Sequence, residues 1–254
     1  MNKLVSGYLW AWTNYEAGFK STSSLRKYYP DADIFVNVDY DGDIKNYKQI
    51  CSTNNYVYSR NTFQLGYCGN FGNLDLGYEH WPRESTFEWL NRFYKACTKA
   101  DSIYMLVLEE DDFVLKPITV LQYDFDIAIH PTAPSPIGWH RPNLIPQQLL
   151  EYSKQHGGIG ECPGYGAGGG TILNRERFIQ SWERCREYLW NDYNSLVQIS
   201  KIVGWQDFIL QYVMMLGGFQ VIQNPYLCEH WEVGDIWKDF EIVTGLKDHT
   251  LVEI

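Results

Sequence analysis

Ile103-Tyr-Met-Leu-Val-Leu108 runs straight into Glu109, Glu110, Asp111 and Asp112, and the chain resumes with Phe113-Val-Leu-Lys-Pro117. An unbroken apolar run of this length fits a buried strand in a sheet covered on both faces. The carboxylates crowded at its end repel one another, a cost that a bound cation relieves. In open α/β sheets, ligands sit beyond the carboxyl ends of the strands. In extended chain Glu110 and Asp112 project to the same side, so two hard oxygen ligands converge. Ligation by oxygen alone suits Mg2+ or Mn2+ rather than Zn2+. The alternative is a solvated acidic turn, or carboxylates set at a helix N-terminus.

Upstream, Leu4–Trp12 reads as a strand and Thr13–Gly18 as a loop. Ser21–Tyr29 reads as a short helix stopped by Pro30. Ile34–Val38 is a second buried strand, ending in Asp39, Tyr40, Asp41, Gly42 and Asp43. Strand, loop, helix and strand at this spacing form a βαβ unit, so the two strands are expected to be parallel. A short strand is expected at Tyr56–Ser59 and a loop at Gly66–Gly77. Glu84–Lys99 is a helix, because Phe87, Leu90, Tyr94 and Cys97 share one face.

Downstream, Asp126–His130 reads as a strand. The proline-rich stretch Pro131–Pro146 is too irregular for helix or sheet and long enough for a functional loop. Gly157–Gly170 is the most glycine-rich segment, and Thr171–Asn174 is a strand end with Asn174 as N-cap. Phe178, Trp182, Cys185 and Leu189 mark one helix face. Trp205-Gln206-Asp207 opens another helix, with Phe208, Ile209, Tyr212, Met215 and Leu216 inward and Gly217-Gly218 at its end. Phe219–Gln223 is a further strand. The sum is one α/β domain over residues 1–254, a Rossmann-like mixed sheet flanked by helices, with no linker between its halves.

Composition narrows the function. The formal net charge of −10 speaks against nucleic acid and against docking on anionic lipid. Most of the 10 Trp, 19 Tyr and 12 Phe must belong to the core, and the remainder could serve as platforms for sugar rings or bases. The first residues lack the apolar region of a signal peptide, and no apolar run approaches the ~18 residues of a membrane span. The 6 Cys, at 51, 68, 97, 162, 185 and 228, include no CxxC pair. They read as scattered reduced thiols of a cytoplasmic protein.

Several residues beyond the acidic run could carry chemistry. Asp39, at the end of its strand, could accept hydrogen bonds from a ribose or base, or simply serve its Asp/Gly-rich turn. The glycines at 164–170 would let backbone approach a ligand closely, or form a flexible surface loop. No Gly-Lys-Ser/Thr follows them, and they precede a strand rather than a helix, so neither common dinucleotide nor Walker fingerprint is present. Asp207 could be a general base or a partner of the helix dipole. His230, in Cys228-Glu-His-Trp-Glu232, could be a metal ligand or structural.

The order of these parts resembles that of GT-A nucleotide-sugar glycosyltransferases. Leu108-Glu-Glu-Asp-Asp112 resembles that fold's DxD-type metal motif in a Glu-Asp-Asp variant, and Gly166–Gly170 resembles its glycine loop. Gln206-Asp207 is similar to its xED motif, and His230 to its late metal-binding histidine. Ser23-Ser-Leu-Arg-Lys-Tyr-Tyr-Pro30, within the opening βαβ unit, looks like its nucleotide-binding half. The chain departs from the pattern in having Gln206 where the motif has Glu, and Glu109-x-Asp111 and Glu110-x-Asp112 both fit the metal motif. We prefer the second register, which lies further beyond the apolar run.

The resemblance implies Mn2+ or Mg2+ held by Asp112 with Glu110 or His230. It implies a nucleotide-sugar donor, UDP- or GDP-linked, met by Trp10, Trp12, Asp39 and Asp111. Residues 1–115 would form the donor half and 116–254 the acceptor half. A glycan or other hydroxyl acceptor would meet Trp139, His140, Gly168, Gly169, Gly170 and Trp205, and Asp207 would be the base of an inverting transfer. Two other readings stay open: a sugar-phosphate nucleotidyltransferase, and a non-catalytic sugar- or partner-binding protein with a Ca2+ site. The first is expected to carry a glycine loop after its first strand, where Trp12-Thr13-Asn14 stands instead.

Overall fold

A computed structural model of the chain describes residues 3–62, 83–131, 151, 153–155, 157, 168–193, 205–229 and 234–246. Its first half alternates strand and helix. β1 (Lys3–Ala11) leads through α1 (Tyr15–Tyr28) to β2 (Ile34–Val38), and α2 (Ile44–Asn54) leads to β3 (Val57–Arg60). After α3 (Arg83–Lys99) comes β4 (Ser102–Leu108), then β5 (Phe113–Val114) and β6 (Ile127–Ile129). The second half holds β7 (Ile172–Asn174), α4 (Arg175–Asn191), α5 (Trp205–Leu216), β8 (Val221–Gln223), β9 (Leu227–Glu229) and β10 (Ile242–Thr244).

The main sheet has the order β3-β2-β1-β4-β7-β6-β8, and a small sheet has the order β5-β10-β9. β1 pairs in parallel with both β2 and β4. β7 is antiparallel to β4 and to β6, and β6 is parallel to β8. The sheet is therefore mixed, and every strand but β7 points the same way. β1, β2 and β4 sit side by side at its centre, so their carboxyl ends open on one edge.

Strand alternation assigns the two cores. Tyr8, Met105 and Val107 face one layer, where α3, α4 and α5 bury Trp89, Phe93, Phe178, Trp182 and Tyr212. Val5, Leu9, Leu106 and Leu108 face the other, with Leu25 of α1, Tyr47 and Cys51 of α2, and Leu227 of β9. Among the described residues, most of the buried aromatic side chains lie in the first core. The rings of Tyr8 and Phe93 meet edge-on at 4.8 Å, and those of Phe93 and Phe178 do the same at 4.8 Å. Such pairs each contribute about 0.5–1.5 kcal/mol beyond their burial. Cys51, Cys97, Cys185 and Cys228 are buried thiols outside any disulfide, while Cys68 and Cys162 lie outside the described residues.

One expectation needs correction, and one helix has no counterpart in the sequence reading. The segment read as a loop, Thr13–Gly18, already contains the first turn of α1, because Asn14 caps it by accepting from the Ala17 amide at 3.2 Å. Helix α2 has no signature in the apolar pattern of its sequence. Only Tyr47 and Cys51 of it are buried, too sparse a pattern for periodicity to register, although Asp43 caps it through the Asn46 amide at 3.2 Å. Among the described residues no helix is long and apolar enough to cross a membrane.

Candidate functional site

The acidic run is a turn, not extended chain. The Asp112 amide donates to the Glu109 carbonyl at 3.3 Å, and the Asp112 Oδ2 accepts from the Glu109 amide at 2.5 Å. Aspartate favours such local bonds to backbone, and they outweigh extension. The convergence expected of Glu110 and Asp112 from strand alternation therefore does not hold. The two carboxylates face different neighbours.

Asp112 is buried, at 1% exposure, against the glycine turn that enters β7. A Cβ at Gly169 would stand 2.1 Å from Asp112 Oδ2 and 2.6 Å from Oδ1, distances that no side chain tolerates. The turn is pinned to β4, since the Gly170 amide donates to the Val107 carbonyl at 2.9 Å and the Val107 amide to the Thr171 carbonyl at 2.8 Å. Gly170 itself has φ +77, in the left-handed region that favours glycine, and a Cβ there would lie 2.4 Å from Leu227 Cδ1. The glycines thus let backbone close on the acidic turn from one side and on β9 from the other.

Glu110 points to the start of α1. Its carboxylate accepts from the Trp12 amide at 2.6 Å, from the Asn14 amide at 3.1 and 3.0 Å, and from the Tyr47 hydroxyl at 2.6 Å. Burial, reinforced by the Glu110 charge, holds the Tyr47 phenol far above its ordinary range, so it remains a donor.

Asp39 ends β2 beside them. Its Oδ1 accepts from Trp10 Nε1 at 2.9 Å and Asn61 Nδ2 at 2.7 Å. Burial raises its carboxyl from 3.8 to about 6, against the opposing effect of those two bonds. Trp10 packs on Trp89, ring centroids 5.5 Å apart, so it positions Asp39. Trp12 is the ring on offer, 45% exposed, with its Nε1 donating to Asp41 at 3.1 Å.

The other expected residues fall in two groups. Asp207 and Trp205 stand in the first turn of α5, although their side chains are outside what the structure describes. A short turn joins α5 to β8, which runs parallel to β6 and hence to β4, so the helix N-terminus lies at the edge bearing the acidic turn. His230, Trp139 and His140 lie outside the described residues. The strand before His230 ends close by in backbone terms. Glu229 pairs with Thr244, and the preceding residue of β10, Val243, pairs with Phe113, the neighbour of Asp112. The Asp111 carbonyl accepts from the Leu246 amide at 3.1 Å.

For a hard divalent cation the Asp112 carboxylate is of the right chemistry, an oxygen donor, in a cradle that a Cβ at Gly169 would fill. Among the described residues, no group of three or more His, Cys, Asp or Glu could hold a metal ion. Sequence reasoning missed Asn14, Tyr47 and Asn61. Of these only Asn14 carries a legible signal, a polar cap residue before a helix with Glu16 in its first turn.

No family model and no curated protein matches the chain. Among solved structures it is similar to the galactosyltransferase LgtC in complex with donor and acceptor sugar analogues, at 14% identity over 94% of this chain and 86% of that one, with a TM-score of 0.45. An active-site mutant of LgtC is similar at 14% identity, the same coverage and a TM-score of 0.44. Glucosyl-3-phosphoglycerate synthase from Mycobacterium tuberculosis, in complex with Mn2+, UDP and phosphoglyceric acid, is similar at 10% identity over 87% of this chain and 68% of that one, with a TM-score of 0.42.

Proposed function

We propose that the chain is a GT-A-type glycosyltransferase that uses a divalent metal and moves a sugar from a nucleotide-sugar donor to a hydroxyl acceptor. One observation carries the reading: the buried Asp112 carboxylate is packed on the Gly169 backbone, at the edge where β1, β2 and β4 end and where Asp39 lies. An acidic turn and a glycine turn, distant in sequence, meet there in the order the motif resemblance implies.

Asp112, with His230, would hold Mn2+ or Mg2+, which when bound neutralises the charge growing on a departing diphosphate. Asp39 would accept from the nucleoside, and the exposed Trp12 ring would pack on it. Asp207 would take the acceptor proton as the hydroxyl attacks the anomeric carbon, in a single displacement with inversion. The glycine turn would leave room for the acceptor, bordered by Trp139, His140 and Trp205. Residues 1–115 would serve the donor and 116–254 the acceptor, within one domain.

A thermal shift tests the reading, because a ligand that binds only the native state raises stability. UDP or GDP with Mn2+ is expected to raise Tm, and neither partner alone is expected to match the pair. Stabilisation by Ca2+ and free sugar, without nucleotide, would instead point to a sugar-binding protein.

A further inference from the structure

We propose that Glu110 is a positioning residue and not a metal ligand: its carboxylate clamps the segment between β1 and α1 to the acidic turn, with Tyr47 as the second jaw. The proposal rests on the glycosyl-transfer reading only for its consequence, the placing of Trp12 against a donor. The clamp itself is geometry within the protein.

Glu110 reaches across 98 residues to the Trp12 amide, 96 to the Asn14 amide and 63 to the Tyr47 hydroxyl. Three elements, the β4 end, the α1 start and α2, therefore meet on one carboxylate. A carboxylate offers about four lone-pair sites. Oε1 already serves Trp12, Asn14 and Tyr47, and Oε2 serves Asn14. The Asn14 amide belongs to the cap residue of a 14-residue helix, where backbone amides lack partners and a negative charge is favoured.

The surroundings are shaped for this contact. Tyr47 is fully buried, and a Cβ on Gly18 would stand 2.4 Å from its hydroxyl, so glycine inside α1 opens the path to Glu110. The same hydroxyl lies 3.2 Å from the Asn14 carbonyl. On its far side the Trp12 carbonyl accepts from the Asp43 amide at 2.7 Å. The backbone of Trp12 is thus gripped at both its amide and its carbonyl while its ring stays exposed. Such fixing keeps an aromatic platform in place before a ligand arrives, which lowers the ordering cost of binding.

Amide hydrogen exchange on the intact protein, without ligand, is the first test. Glu110→Gln keeps size but replaces an acceptor oxygen by a donor, and Tyr47→Phe removes only the hydroxyl. Both are expected to speed exchange at Trp12 and Asn14 by about tenfold or more, as local opening becomes easier, while Asn46, capped by Asp43, is unchanged. Unchanged exchange at Trp12 and Asn14 in either variant would overturn the clamp, whether or not the protein transfers sugar. The second test is kinetic. Both variants are expected to raise KM for the nucleotide sugar about tenfold, with kcat within about twofold, the cost of one charge-assisted hydrogen bond. Affinity for Mn2+ without nucleotide is expected to stay at the wild-type value in both. A loss of Mn2+ affinity in Glu110→Gln that Tyr47→Phe does not share would make Glu110 a ligand and overturn the proposal.

Discussion

Asp39 carries a carboxyl group that the fold takes largely out of water. Burial holds its carboxyl at about 6 rather than 3.8, and this makes stability depend on pH. The folded state then binds the proton more tightly than the unfolded state between about pH 4 and 6. The contribution of Asp39 to stability is full below that window and is lost as pH rises through it. Asn in its place can still accept from Trp10 and Asn61 through one oxygen, and it carries no charge to bury. Asp39→Asn is therefore expected to match the wild type near pH 4 and to exceed it by at most about 3 kcal/mol above pH 7. Urea unfolding at the two pH values checks this, and a gap that does not change with pH would refute it. Gly169 gives a second prediction at this scale. Gly169→Ala drives a methyl group into both oxygens of Asp112, and overpacking of this kind costs about 1–3 kcal/mol. The greater loss is expected in metal affinity measured by calorimetry with nucleotide present. A variant that binds metal as the wild type does would detach the glycine turn from the site.

Among the elements, those with strong periodicity were legible and those made by local bonds were not. Ile34–Val38 and the helix ending at Lys99 follow from apolar pattern alone. The Asn174 cap was also legible, and its side chain accepts from the Arg177 amide at 3.2 Å. β5, β9 and β10 are two or three residues long, too short for any alternation to show. The antiparallel β7 could not be inferred, because strand direction depends on how the chain returns between Ile129 and Ile172. At the site, the meeting of acidic and glycine segments could be anticipated, but not the separation of Glu110 from Asp112. That separation comes from side chains bonding to backbone. Helix α5 carries the prediction at this scale. Asp207, the proposed base, stands in its first turn. Asp207→Asn keeps shape and most hydrogen bonds but cannot take a proton. It is expected to lower kcat by about 10²–10⁴-fold, the usual worth of a general base, with the Kd for nucleotide sugar unchanged. Near-native turnover would mean that the base lies elsewhere. A collapse of donor binding would put Asp207 in the donor site.

At the scale of the whole molecule, the site lies on a seam between two sheets. The acidic turn leaves β4 of the large sheet and enters β5 of the small one. The glycine turn opens β7 of the large sheet, and its Gly170 rests on Leu227 of β9 in the small one. The geometry around Asp112 therefore depends on how the two sheets are held together, and packing at the seam is expected to couple to ligand binding in a way that packing elsewhere is not. Leu227 and Ile34 allow a matched comparison. They are 0% and 1% exposed and belong to the same core. Ile34, however, opens β2, at the edge opposite the acidic turn. Truncation of either to Ala is expected to cost about 2–5 kcal/mol, through lost burial and the cavity left behind. The rise in Tm on adding UDP or GDP with Mn2+ is expected to differ. It persists in Ile34→Ala, because binding to the native state adds the same free energy whatever the starting stability. In Leu227→Ala the support under Gly170 is gone, the glycine turn shifts against Asp112, and the rise is expected to fall by more than about half, a weakening of native-state binding. Equal rises in the two variants would mean that the seam does not govern the site, and that Asp112 is held by its own turn alone.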